Sequence, residues 1–95
     1  MYNFNSAEIK SVKVAVRKTA ASLDNEIREV IDAAVSDMET SGVNTDTQPP
    51  AMVLQAVQCY ARAYYNYNEQ GAEWHERYKQ HLVKMSLASA GDTDG

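Results

Sequence analysis

Apolar residues in this chain recur at helical intervals in four stretches, with polar breaks between them. The longest stretch is Pro49 to Gln70, PPAMVLQAVQCYARAYYNYNEQ. At 100° per residue, Val53, Ala56, Val57, Tyr60, Ala61, Tyr64 and Tyr67 share one face. Leu54 and Tyr65 widen that face on one side, and Met52, Cys59 and Ala63 on the other. Only Gln55, Gln58, Arg62, Asn66 and Glu69 form a polar strip. A helix this apolar must be covered from several directions, which predicts the central helix of a small bundle over 50–69. Pro49 and Pro50 suit a first turn, where a missing N–H costs nothing, and Gly71 is placed to end the helix.

The other stretches predict three further helices. Ser6 is a fair N-cap for a helix over 6–18, with Glu8 in the first turn and Ile9, Val12 and Val16 as its apolar stripe. Val12 to Arg17 also alternates like a strand, but nothing else in the chain is fit to pair with one, so helix is the reading. Val14 falls off the stripe. Asp24 is a good N-cap for a helix over 25–41, where Ile27, Val30, Ile31, Ala34, Val35 and Met38 mark one buried face and acids mark the other. Gly42 ends it, and the loop VNTDTQ follows, with Thr47 as a possible N-cap for the central helix. A fourth helix is predicted over 72–87, with Trp74, Tyr78, His81 and Met85 on one face and Leu82 beside it. Residues 89–95, SAGDTDG, have no large apolar side chain and are expected to be disordered. The fold class is all-α: about four helices in one domain over 1–88, with a short tail.

Charge changes this picture more than composition does. The chain has 95 residues and a net charge of −4, which argues against a general nucleic-acid binder. Residues 8–18 carry Lys10, Lys13, Arg17 and Lys18 against Glu8. Residues 24–46 carry Asp24, Glu26, Glu29, Asp32, Asp37, Glu39 and Asp46 against Arg28. These are solvated helix faces or, more pointedly, the two halves of a head-to-tail contact between copies. One cysteine, Cys59, excludes an internal disulfide and reads as a small core hydrophobe. No signal peptide or membrane-spanning run is visible, so a soluble protein of a reducing compartment is expected.

Chemistry is sparse. There is no phosphate-binding glycine loop, no CxxC and no HExxH. His75 and His81 lie about 120° apart around a helix, poor geometry for one metal. The acids of the second helix are spread over its outer face rather than paired. Only Arg62 stands among the tyrosines, so a base-stacking platform is not indicated. The expectation is no catalytic residue, no cofactor and no metal.

The order of elements carries a resemblance. A first helix ends in Val16-Arg17, a linker leads to Asp24-Asn25-Glu26-Ile27, then Val30-Ile31 and Ala33-Ala34 follow. A polar loop leads to Pro50, Val53-Leu54, Ala56-Val57 and Tyr60, and a last helix carries spaced aromatics. Over residues 6–88 this resembles the head-tail connector proteins of tailed bacteriophages, also described as adaptor or DNA-packaging proteins. The resemblance implies a small helical bundle without catalytic residues. It implies a homo-oligomeric ring beneath the portal protein, in the virion at the head-tail junction and in the host cytoplasm before assembly. The ring would extend the DNA channel, with DNA only as cargo, and would dock a downstream neck or tail-completion protein; no membrane is involved. Family members often grip the portal with a C-terminal part, which here is only the short tail. The interface candidates are Lys10, Lys13, Val14 and Arg17 of the first helix, Glu29, Asp32 and Glu39 of the second, and Leu54 and Tyr65 of the central one. The alternative is a small cytoplasmic helical module that binds a protein partner in a groove between helices.

Overall fold

A computed structural model describes the backbone of residues 2–94 and the side chains of residues 2–87. The expectation of a disordered tail over 89–95 falls outside the described side chains. The chain is an all-α bundle of four helices: α1 (Ser6–Ala15), α2 (Asp24–Thr40), α3 (Pro50–Tyr64) and α4 (Gly71–Asp94). Short 3-10 turns cover Ala21–Leu23 and Tyr67–Glu69. Among the described residues there is no strand, so the valine alternation in α1 has yielded to helical packing.

α3 is central, as its apolar circumference requires, and packs on each of the other three helices. Val53, Ala56, Val57 and Ala61 are fully buried there, and Cys59 is buried beside them. α1 contributes Val12 and Ala15, joined by Val16 just after its end, and α2 contributes the six residues of its predicted stripe. α4 closes the core with Tyr78 and Met85. Each large aliphatic side chain so buried stabilises by about 1.5–3 kcal/mol relative to exposure.

The tyrosine stripe predicted for α3 is corrected. Tyr60 is half-buried, Tyr64 is 61% exposed, and Tyr67 lies beyond the helix. For Tyr67 the cause is an earlier stop. Asn66 takes a left-handed conformation at φ 50°, which ends α3 five residues short of the predicted boundary. The buried tyrosine is Tyr78, at 1% exposure. Gly71 does not end α3 but opens α4, its N–H donating to Asn66 Oδ1 at 2.9 Å.

Helix ends depart from the prediction in other ways. Asn5, not Ser6, caps α1: its side chain accepts from the Glu8 N–H, and Glu8 Oε1 accepts from the Asn5 N–H, a reciprocal capping box. α2 begins at Asp24 itself, with Leu23 at the cap position and no side-chain cap bond. Thr47 does not cap α3; Pro49 holds that position, and the Thr47 hydroxyl donates to the Asn44 carbonyl. α1 and α2 end alike. In each, the N–H of a left-handed residue and the N–H after it fold back on the last turn, Gly42 and Val43 onto Glu39 and Met38, Arg17 and Lys18 onto Val14 and Lys13. Gly42 adopts φ +94° without a Cβ to clash, whereas Arg17 adopts φ 56° at a cost of about 1–2 kcal/mol. That turn stops α1 at Ala15, three residues before the predicted end.

The polar loop 43–48 is not loose. Val43 and Thr45 are fully buried and Gln48 nearly so. Thr45 Oγ1 accepts the Tyr2 N–H at 3.0 Å and donates to Glu39 Oε1 at 2.6 Å. Gln48 Nε2 donates to the Met85 carbonyl at 3.2 Å. The loop thus ties the N-terminal arm and α4 to the end of α2.

Candidate functional site

The nine interface candidates separate into used and unused groups. Lys10 and Val14 are exposed on α1, Val14 at 57%, and with Lys13, Thr19, Asp24 and Arg28 they line a cleft of about 280 Å³. Lys13 is half-buried and ion-paired with Asp24 of its own chain, where the α1–α2 turn brings the two together. Glu39, expected to face outward, is half-buried and accepts the Thr45 hydroxyl, because loop 43–48 folds back over it. Leu54 is half-buried against the core, and Tyr65 donates its hydroxyl to Glu26 at 2.9 Å. Burial and that bond push the Tyr65 hydroxyl pKa well above the usual phenol value. Glu29 and Asp32 are exposed on α2. Arg17 is exposed, but its left-handed turn removes it from the stripe of Lys10 and Lys13.

Arg17 joins a different cluster. The turn at residues 65–70 reverses the chain and sets the end of α3 beside the start of α4. Arg62 Nε donates to the Ala15 carbonyl at 2.9 Å, so α3 grips the end of α1. Its guanidinium lies 4.5 Å from the Trp74 ring centroid and 5.4 Å from that of Tyr67. Arg77 lies 4.6 Å from the Trp74 ring, Arg17 lies 5.8 Å from the Tyr67 ring, and Lys18 lies 5.3 Å from the Tyr65 ring. Each contact is worth about 0.5–1 kcal/mol where exposed and more where desolvated. The Trp74 N–H is buried without an acceptor among the described residues.

This arginine-aromatic patch was missed from the sequence, and part of it was legible. Trp74 and Arg77 stand at i and i+3 on one helix. The contribution of Arg62 depends on where α3 stops, and that of Arg17 on an unusual backbone angle.

A second surface adjoins the patch at Tyr65, whose hydroxyl holds Glu26 and whose ring meets that of Tyr64 at 4.9 Å. Glu26, Glu29, Val30 and Ala33 of α2 and Tyr60 and Tyr64 of α3 line a notch of about 190 Å³. An adjoining hollow of about 300 Å³ shares Tyr60 and Tyr64 and reaches His75 on α4. Among the described residues, no three His, Cys, Asp or Glu side chains gather to hold a metal ion. No helix there is long and apolar enough to cross a membrane. Cys59 lies behind the patch; burial raises its thiol pKa, and Arg62 and Arg77 offset only part of that rise.

Comparison with known proteins adds no relative: no protein-family model, no curated protein and no solved structure matches the chain.

Proposed function

We propose that this protein is a structural subunit that assembles head-to-tail into a closed ring, the head-tail connector beneath the portal of a tailed bacteriophage. In this reading it extends the DNA channel and offers a downstream neck or tail-completion protein a docking surface. DNA is cargo, and no residue acts catalytically. The supporting observation is the separation of charge on a small bundle. Glu29 and Asp32 stand exposed on α2, while Arg17, Lys18 and Arg77 stand exposed where α1, α3 and α4 meet. Unlike patches on one subunit make heterologous contacts, and such contacts close into rings when the rotation between copies allows. A bundle of this size buries a modest share of its surface, so neighbours on both sides add stability by mass action.

The test is the size of the assembly. Light scattering and sedimentation of the purified protein over a concentration series, with electron microscopy of the largest species, should give a closed ring of defined copy number. A strict monomer at high concentration would refute this reading and favour the small protein-binding module.

A further inference from the structure

The arginine-aromatic patch and the acidic notch are complementary in charge and in shape of chemistry. Among the described residues, Arg17, Lys18, Arg62 and Arg77 form no ion pair, and neither do Glu26 and Glu29, the acids that line the notch. Four cations gathered at one end repel one another, and so do carboxylates three residues apart on a helix. Both repulsions persist in the isolated subunit and are relieved when the two surfaces meet. A guanidinium stacked on a ring keeps its in-plane N–H donors, which match a carboxylate. The notch offers what such a group needs: the Glu29 carboxylate, and the ring of Tyr64, 61% exposed.

We propose that the arginine patch of one copy docks on the acidic notch of the next, with Arg77 seated between Glu29 and Tyr64 and Arg17 as the flanking cation. This rests on the ring reading above and names its interface. Arg77 is the anchor because it projects from a helix and is already stacked on Trp74, so less freedom is lost on docking. Patch and notch are different surfaces, so each bound copy still presents one of each, and the contact repeats. The patch is a poorer site for nucleic acid. Arginines already lie against the Trp74 and Tyr67 rings that bases would stack on, and Glu69 and Glu73 are exposed next to them in sequence. The net charge of −4 also repels a polyanion at a distance.

The test uses the full chain in sedimentation velocity over a concentration series at low salt. R77E and E29K should each weaken self-association by about tenfold or more. Arg77→Gln, which can still cover Trp74, should weaken it less, and circular dichroism checks that each variant folds. Mixing R77E with E29K should restore association, because every patch in the mixture then finds a notch of opposite sign. If wild type assembles and both reversals assemble as tightly, the docking proposal is overturned and the ring reading stands. If wild type stays monomeric throughout, the ring reading fails and takes this proposal with it. If a fluorescently labelled DNA duplex binds wild type and R77E abolishes that binding without changing self-association, the patch is a nucleic-acid site and the proposal is overturned.

Discussion

Removing the ring of Tyr78 should be the most damaging single truncation in this bundle. Its side chain is 1% exposed, its ring meets that of Tyr60 edge-to-face at 5.2 Å, and its hydroxyl donates to Asp37 Oδ2 at 2.5 Å. Tyr78→Ala loses the buried ring and leaves a cavity, at a cost of about 3–5 kcal/mol. The edge-to-face pair accounts for about 0.5–1.5 kcal/mol of such a loss. Tyr78→Phe keeps the ring and removes only the hydroxyl. Asp37 is exposed and regains water, so the cost is that of one hydrogen bond to a charged acceptor, about 1–3 kcal/mol. A domain of this length has roughly 5–14 kcal/mol in total, so the alanine variant is brought near the limit of folding. Tyr60→Ala, at a half-buried ring, should cost about half as much as Tyr78→Ala. Urea denaturation followed by circular dichroism gives all three values. The sign with pH is also fixed. Burial and the bond to Asp37 raise the Tyr78 pKa, so its contribution is complete below the unfolded value of 10.0 and fades as pH climbs toward the folded value. Tyr78→Phe should therefore blunt the alkaline loss of stability. A Tyr60→Ala cost equal to or above that of Tyr78→Ala would refute the packing described for α3 and α4.

Two further outcomes follow from the same core. Cys59 should react slowly with a thiol reagent in the native protein and rapidly in urea, because burial holds its pKa up; fast native labelling would contradict its position in α3. Burial, with a smaller contribution from Lys84, lowers the His81 pKa below 6.5, so its contribution is complete above that value and is lost as pH falls through the folded pKa. Melting temperature should drop on acidification below about 6.5, and His81→Gln should flatten that drop; equal slopes for both proteins would remove His81 as the cause.

The helices were legible because their apolar periodicity is strong. The i, i+3, i+4 stripe of α2 is buried as read, and Gly42 ends that helix as read. What failed was decided by backbone angles that no periodicity encodes. Asn66 and Arg17 turn left-handed, and each moves a boundary. The boundary at Asn66 takes Tyr67 out of α3, while Tyr78 holds the buried place that its spacing on α4 predicts. Charge segregation was visible along the chain, but its partners were not. Lys13 is neutralised by Asp24 in its own subunit, and Glu39 turns to Thr45, which sequence spacing does not reveal. The arginine patch draws on three elements, so it exists only once the turn at 65–70 is in place.

Loop 43–48 has a consequence for the order in which the chain folds. It holds the arm through Tyr2, 43 residues away in sequence, and α4 through the Met85 carbonyl, 37 residues away. Contacts between α3 and α4 are nearly adjacent along the chain, so that hairpin closes at small entropic expense. The link at Gln48 closes with that hairpin, whereas the link at Thr45 needs the arm, α1 and α2 in place, and it forms last. By the same reckoning the arm is the first part to come away on unfolding. Its release would uncover the Thr45 hydroxyl while the helices below it stay paired, so amide exchange at the arm and loop runs on a faster clock than exchange in α3.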